Sequence, residues 1–148
     1  MEGKRIFPIY LGSDHGGFAL KEEVKKYLKE GKECELEDLG AFSFEPLDDF
    51  PDYALAVANK VSKEEARGIL FCGSGQGMAI AANKIKGIKA AVCWDIVSAR
   101  QSREHLDANI LCLGAKFVSS ELAKKIIDVW LETSFLNEEK YSRRLKKI

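Results

Sequence analysis

The residues best suited to chemistry in this chain begin at Cys72. Three glycines follow the thiol at alternate positions, Gly73, Gly75 and Gly77, and a run of helix-forming residues comes next. A glycine loop that leads into a helix points several backbone N–H groups toward one anion or developing oxyanion. Thiols in such positions ionise readily and act as bases or nucleophiles. The segment therefore predicts an enzyme active site, and a buried, inert cysteine is the alternative.

A second glycine-rich loop, residues 12–17, carries a carboxylate and an imidazole. Asp14 and His15 come directly after a predicted strand, where ligands bind in parallel α/β sheets. The carboxylate could instead cap the following helix. Near the end of the chain, Lys140 and Arg144 are spaced i, i+4 on a predicted helix. Their charges could contact a phosphate or could simply be solvated.

Motif spacing excludes several functions. The glycines after Cys72 do not fit the dinucleotide fingerprint GxGxxG, and the chain has no phosphate-binding GxxxxGK[ST] motif. A cysteine-dependent phosphatase would need an arginine six residues after the thiol, where Met78 stands, and would lose its main electrostatic aid without it. The chain has two histidines and four dispersed cysteines, Cys34, Cys72, Cys93 and Cys112. This spacing argues against a zinc site and against a disulfide framework.

Composition argues against several further classes of protein. The 148 residues include 23 Lys plus Arg and 23 Asp plus Glu, so no global basic field favours nucleic acid. Apolar runs fall short of the ~20 residues that a membrane span needs, and residues 1–5 lead into a predicted strand instead of a signal-peptide core. We expect one cytoplasmic domain, residues 1–148, that binds neither nucleic acid nor membranes.

The hydrophobic pattern alternates strands and helices. Predicted strands cover residues 6–11, 33–39, 68–71, 88–93 and 109–113. This pattern predicts a Rossmann-like α/β fold: a doubly wound, five-stranded parallel sheet in the order 2-1-3-4-5, with helices on both faces. The switch point of that order lies between the first and third strands, so the two glycine loops should meet at one edge of the sheet.

Helical periodicity also makes three local predictions. The helix that ends near Gly31 should bury its apolar stripe and direct its lysines and glutamates to solvent. The next helix should open at residues 48–51 with an acidic cap and a proline in its first turn. A last long helix, capped by Ser119 and Ser120, should run through Glu132. The loop at residues 40–49 is long enough to suggest a function.

Four segments together resemble the family of ribose-5-phosphate isomerase B and the galactose-6-phosphate isomerase subunits. They are residues 12–18, 49–54, 72–84 and 98–105, and the resemblance covers essentially the whole chain in order. It implies isomerisation of an aldose phosphate to a ketose phosphate, without a metal or cofactor, through ring opening and an enediolate. Ribose 5-phosphate and ribulose 5-phosphate are the first candidate pair. It also implies a homodimer or a tetramer with active sites at subunit interfaces.

The resemblance implies a role for each matched residue. Cys72 corresponds to the base that moves a proton between C2 and C1, although some relatives use a glutamate at the position of Met78 instead. Asp14 and His105 correspond to groups that handle ring-oxygen and hydroxyl protons. Ser74 joins the catalytic set where many relatives have threonine. The backbone of Gly73, Gly75, Gln76 and Gly77 corresponds to the enediolate anion hole. Substrate and phosphate contacts are implied for His15, Tyr53, Lys116, Lys140 and Arg144.

Four positions depart from the family pattern. Leu106 replaces an asparagine, Lys116 and Lys140 replace arginines, and Tyr141 replaces a histidine. Lysine keeps the charge of arginine but loses its bidentate fork. The residues therefore leave three alternatives open beside the ribose assignment. These are an isomerase of another phosphosugar such as galactose 6-phosphate, a sugar-phosphate-binding protein without turnover, and a structural partner in a hetero-oligomer.

Overall fold

The computed structural model describes residues 7–31 and 34–148. Five parallel strands form one sheet: β1 Ile9–Ser13, β2 Leu36–Asp38, β3 Arg67–Cys72, β4 Ala90–Val92 and β5 Ile110–Gly114. The helices are α1 Phe18–Gly31, α2 Phe50–Ser62, α3 Gln76–Ala82, α4 Ile96–Glu104, α5 Ser120–Glu132 and α6 Glu139–Leu145. A 3-10 turn at His15–Gly17 precedes α1. Ile6 and Glu33, the first residues of two predicted strands, lie outside the described residues.

The sheet has the order β2-β1-β3-β5-β4, so the predicted order 2-1-3-4-5 is wrong at one side. Strand β5 is buried at every position and pairs with β3 on one side and β4 on the other. Strand β4 is three residues long and half-buried throughout. A continuous apolar strand belongs inside a parallel sheet, and a short, half-exposed one suits its edge. The doubly wound α/β class and the switch point between β1 and β3 are confirmed.

Helices cover both faces of the sheet, as predicted. Around Trp130, helices α1, α4 and α5 pack on one face, and around Met78, helices α2 and α3 pack on the other. Successive strand residues point to opposite faces, so Leu11 joins the first cluster and Tyr10 the second. Each fully buried large side chain contributes about 1.5–3 kcal/mol to folding. Within the described residues, no helix has the length and apolar character needed to cross a membrane.

Lys21 in α1 contradicts the prediction that lysines of this helix face solvent. Its side chain is fully buried, and its Nζ lies 2.8 Å from both carboxylate oxygens of Asp38 and 2.5 Å from the Ala41 carbonyl oxygen. Lys25 reaches the same carboxylate at 2.8 Å. Burial acts to raise the pKa of Asp38, but the hydrogen bonds from both lysines outweigh it and lower that pKa. A buried ammonium needs such a partner, and helical periodicity does not show one 17 residues away.

The start of α2 is predicted correctly in position but not in the bonding of its cap residue. Pro51 lies in the first turn, and Asp49 is the N-cap residue, but the Asp49 side chain makes no capping hydrogen bond. The predicted acidic residue is therefore at the N-cap position but does not bond to the helix, and the neighbouring carboxylate of Asp48 bonds to the loop after β1. The cap of α5 is confirmed, since the Ser119 hydroxyl accepts the Leu122 N–H at 3.1 Å.

Candidate active site

The loops after β1 and β3 meet at the carboxyl edge, by which we mean the edge of the sheet where its parallel strands end. A Cβ placed on Gly16 would lie 3.0 Å from the Gly73 nitrogen, and one placed on Gly17 would lie 2.3 Å from the carbonyl carbon of Phe71. Only glycine permits an approach this close, because any side chain would overlap the backbone. The predicted meeting of the two glycine loops is confirmed.

Cys72 is the last residue of β3 and is 6% exposed. Its Sγ accepts the Gly75 N–H at 3.0 Å. Gly75 has φ of 80°, in the left-handed region that favours glycine, and this turn starts α3 at Gln76. An N–H donor binds a thiolate more strongly than a neutral thiol. The sulfur thus lies in the core and accepts a hydrogen bond from the glycine loop.

Asp14 and His15 approach this thiol from the end of β1. Asp14 is 7% exposed, and its Oδ1 accepts the Gly17 N–H at 3.2 Å, so the carboxylate does cap the short turn. The backbone N–H and the Nδ1 of His15 lie 3.0 and 2.8 Å from one oxygen of Asp48, Oδ1. The Asp48 hydrogen bond raises the pKa of His15. Burial opposes ionisation of Asp48, but the His15 contacts outweigh it and lower the pKa of Asp48.

Lys116 brings a positive charge to the glycine loop from the segment after β5. Its Cε and Nζ lie 3.3 and 3.7 Å from the position that a Cβ of Gly73 would occupy, and its backbone N–H donates to the Gly73 carbonyl at 3.0 Å. The loop therefore has an ammonium group next to its N–H groups. Beyond it, Ser74 and Gln76 line an open cavity of about 400 Å³ together with Trp94 and Phe117.

Three side chains of this edge were missed by the sequence analysis. Asp48 binds His15, Phe44 approaches the same imidazole edge-on with ring centroids 6.4 Å apart, and the Phe50 ring packs on Gly77. For Gly77 the evidence of contact is direct, because an added Cβ would lie 2.8 Å from that ring. The signals in the sequence were the length of the 40–49 loop and, for Phe50, its place in the segment 49–54 that carries the family resemblance. Tyr53, which was predicted, lies against Gly40 on the inner side of this loop.

His105, Lys140 and Arg144 lie at the opposite, amino edge of the sheet, where the strands begin. His105 follows α4 and precedes β5, whereas Cys72 pairs with Gly114 at the far end of β5. With a rise of about 3.3 Å per residue, the two ends of that strand are roughly 13 Å apart. A single chain therefore does not bring these predicted residues together with the thiol.

The amino-edge residues nevertheless form a group of their own. The rings of His105 and Tyr141 stack with centroids 4.6 Å apart and planes 19° apart. The Nζ of Lys140 lies 5.0 Å from the centre of the same tyrosine ring, and Arg144 follows one helical turn later in α6. This group combines an imidazole with two cations, which suits an anionic ligand.

One cluster among the described residues meets the distance criteria for a metal site. Ligand atoms of Asp14, His15 and Asp48 lie within 4.8 Å of one another. These groups already bond to each other and to the Gly17 N–H, with the Nδ1 of His15 facing Asp48. We interpret them as a hydrogen-bonded set and do not assign them as metal ligands.

A thiol beside backbone N–H donors and an ammonium group, at the switch point of a doubly wound sheet, is an arrangement that suits an enzyme stabilising an oxyanion. The sequence profile of one family, described as Ribose/Galactose Isomerase, matches residues 9–148. The chain belongs to this family of isomerases, so the predicted family and the prediction of an enzyme are confirmed.

Individual relatives agree with the profile. The chain is 46% identical over 128 residues to ribose-5-phosphate isomerase B of Escherichia coli. The aligned region covers 86% of this chain and 85% of the relative. The type B ribose 5-phosphate isomerase structure from Trypanosoma brucei has 43% identity and a TM-score of 0.91 over 97% of each chain. The Mycoplasma genitalium enzyme, solved with bound ribulose 5-phosphate, has 39% identity and a TM-score of 0.91 over 97% of this chain and 95% of that one.

Proposed function

We propose that this protein interconverts ribose 5-phosphate and ribulose 5-phosphate with Cys72 as the base. One observation carries the proposal: the Cys72 sulfur accepts the Gly75 N–H at 3.0 Å where the two glycine loops meet. The relatives named above are ribose-5-phosphate isomerases, and one of them binds ribulose 5-phosphate. The proposal includes a single catalytic domain, residues 1–148, acting in the cytoplasm. Four free cysteines suit that reducing compartment.

The proposed reaction begins with ring opening. Asp14 and His105 move the proton of the O1 hydroxyl away and deliver one to the ring oxygen, which frees the aldehyde at C1. The Cys72 thiolate then takes the proton from C2, and the electron pair of that C–H bond forms the C1–C2 double bond of an enediolate. A positioned base of this kind accelerates a reaction about 10²–10⁴-fold.

The second half of the reaction returns the proton. The C1–C2 double bond takes the proton from the Cys72 thiol onto C1, while the O2 hydroxyl loses its proton and becomes the ketone, and O1 gains one. Backbone N–H groups of residues 73–77, other than that of Gly75, which donates to Cys72, stabilise the negative oxygen in between, and Ser74 stands beside them. Each such donor contributes roughly 3–4 kcal/mol to the transition state.

A second copy of the chain completes each site in this proposal. Cys72 and Asp14 lie at the carboxyl edge, and His105 lies at the amino edge. When one copy docks its amino edge on the carboxyl edge of another, two equivalent sites form in a symmetric dimer, and two dimers can form a tetramer. His15 and Lys116 from one copy, with Lys140 and Arg144 from the other, then surround the phosphate.

Solvent-deuterium incorporation tests the chemistry and identifies the sugar. The protein in D₂O receives ribose 5-phosphate, ribulose 5-phosphate and a panel of hexose phosphates that includes galactose 6-phosphate, and NMR follows the protons on C1 and C2. We expect exchange with the pentose phosphates that falls about 10³-fold in Cys72→Ala. Cys34→Ala, which removes a thiol outside the site, should exchange at the wild-type rate.

Each other outcome has a clear meaning. Exchange with hexose phosphates alone would overturn the ribose assignment and support another phosphosugar. Saturable binding of the panel with no exchange would indicate a sugar-phosphate-binding protein. Activity that appears only after a different subunit is added would support a hetero-oligomer.

A further inference from the structure

The imidazole of His15 is held by a loop residue that has no assigned role. We propose that Asp48 is a positioning residue that fixes His15 through Nδ1 and thereby directs Nε2 toward the phosphate group of the substrate. This inference rests on the proposed function, because the phosphate contact of His15 comes from the resemblance to the family. It concerns a residue of the 40–49 loop and not the thiol chemistry.

The geometry of the pair restricts the imidazole in two ways. One carboxylate oxygen, Asp48 Oδ1, accepts the backbone N–H of His15 at 3.0 Å and lies 2.8 Å from Nδ1. Two contacts to one atom fix the ring relative to its own backbone. Because an ionised carboxylate only accepts hydrogen bonds, Nδ1 must carry a proton. The proton that is gained or lost on titration is therefore the one on Nε2.

The two side chains of this pair differ in their exposure to solvent. The Asp48 side chain is 8% exposed, whereas that of His15 is 40% exposed. The carboxylate thus lies on the protein side of the imidazole, and part of the imidazole surface is accessible to a ligand. The second oxygen of Asp48, Oδ2, is buried without a hydrogen bond within the described residues. A carboxylate in these surroundings has its strongest partner in the imidazole.

The charges around His15 favour its cationic form. Hydrogen bonding to Asp48 raises the pKa of His15, and the negative charge of Asp14 acts in the same direction. Tyr53 in α2 also faces Asp48, and burial together with the Asp48 charge raises the pKa of that phenol. The Lys116 ammonium, from the segment after β5, lies beside Gly73, and Asp14 and Asp48 are the charges that raise the pKa of His15. A protonated Nε2 can donate to a phosphate oxygen, whereas a neutral one cannot.

Asp48→Asn tests the proposal, and the chain offers a matched control. Asn has the same shape, but it removes the negative charge that holds the Nδ1 proton. The neighbouring Asp49 is exposed and makes no capping bond. Asp49→Asn therefore makes the same change of charge and side chain as Asp48→Asn but leaves the contacts of His15 intact. Only two histidines occur in the chain, so imidazole NMR signals are assigned with His15→Gln alone.

Three readouts should move together in Asp48→Asn and stay unchanged in Asp49→Asn. NMR titration should show a lower pKa for His15, and inorganic phosphate should bind about tenfold more weakly at neutral pH. The KM for the sugar phosphate should rise about tenfold while kcat stays within about twofold, because the thiol chemistry is not altered. In the wild-type protein, imidazole ¹⁵N shifts at high pH should report a neutral ring with its proton on Nδ1.

Other results would overturn the proposal. A wild-type tautomer with the proton on Nε2 would contradict it without any variant. A lower melting temperature with unchanged His15 titration and KM would make Asp48 a loop anchor only. If the phosphate and NMR results follow the prediction but no pentose phosphate is turned over, the positioning role stands and the proposed function fails.

Discussion

The two edges of the sheet are built by different means. At the carboxyl edge, glycines bring backbone against backbone, and the Gly17 and Phe71 segments touch with no room for a side chain. At the amino edge, side chains hold the backbone instead. The Asn83 amide donates to the Ala90 carbonyl at 3.0 Å and accepts the Ala90 N–H at 2.8 Å, and Asn109 makes a similar pair of bonds to Lys89 and Gly87.

This difference explains where each kind of functional group lies. The carboxyl edge supplies fixed N–H groups and a buried thiol, which suit a charge that develops on one atom. The amino edge supplies His105 and the cations of α6 on an exposed surface, which suit a mobile phosphosugar and a partner chain. In our proposal each edge is half of an active site.

The largest expected effect is on the activity of mixed dimers, which tests whether each edge supplies half of an active site. Cys72→Ala and His105→Ala should each lower kcat about 10³-fold as pure proteins. Co-expression of the two chains under different tags should restore about a quarter of the wild-type activity. Half of the randomly paired dimers are mixed, and each mixed dimer contains one intact site of two.

A pair of variants from the same edge is the matched control for that result. Cys72→Ala mixed with Asp14→Asn also produces hybrid dimers, but both of their sites carry one substitution. Activity should therefore stay at the level of the single variants. Restoration in this pair as well, or none in the first pair, would mean that His105 does not cross between subunits.

The buried ion pair beneath the carboxyl edge should give the next largest effect. Asp38→Asn leaves the buried Lys21 ammonium with only the more distant Glu22 carboxylate, at 3.6 Å, and we expect a loss of about 3–5 kcal/mol in urea-induced unfolding. Glu22→Gln removes a half-buried carboxylate that lies 3.0 Å from Lys25 and 3.6 Å from Lys21 but leaves Asp38 in place, and it should cost less than about 1 kcal/mol. Equal effects of the two substitutions would show that burial does not distinguish these ion pairs.

The ion pair of Lys21 and Asp38 should also make the free energy of unfolding depend on pH in a known direction. The pKa of Asp38 is lower in the folded protein than in the unfolded chain. Its contribution is therefore complete above the ordinary carboxyl range and is lost as the pH falls through the folded pKa. The gap in unfolding free energy between wild type and Asp38→Asn should narrow on acidification.

Asn83 should give the smallest effect and sharpens the description of the amino edge. Asn83→Ala removes both bonds to Ala90 at the half-buried start of β4, at a cost of about 1–2 kcal/mol. Hydrogen exchange should speed up at Ala90 and remain slow in the fully buried β5. Faster exchange in both strands would mean that the edge strand and the centre open together.

Local patterns in the sequence were enough to predict the fold class and the meeting of the glycine loops. Strand and helix periodicity is recorded in neighbouring residues, and the switch point follows from any order that keeps β1 beside β3. The order of β4 and β5 did not follow, because it depends on how completely each strand is buried. Ala90–Val92 and Ile110–Gly114 are both apolar, but only the second is fully buried.

Side chains with distant partners were the other limit of the sequence. Lys21 finds Asp38 across 17 residues, and His15 finds Asp48 across 33. Asp38 lay in a predicted strand and Asp48 at a predicted helix cap, and neither pattern shows a distant partner, since strand pattern and cap preferences describe only local neighbours. The two glycine loops and Cys72 were recognisable because glycines and a thiol directly after an apolar strand are a local pattern in the sequence.

The contact between Gly17 and Phe71 also limits which substitutions the protein can tolerate. Replacing Cys72 should yield a folded but inactive enzyme, whereas even alanine at position 17 would push a methyl group to 2.3 Å from a carbonyl carbon. In a mutational library selected only for soluble expression, the buried Cys72 should therefore accept other small residues such as alanine, while Gly17, which takes no part in the proposed chemistry, should remain fixed.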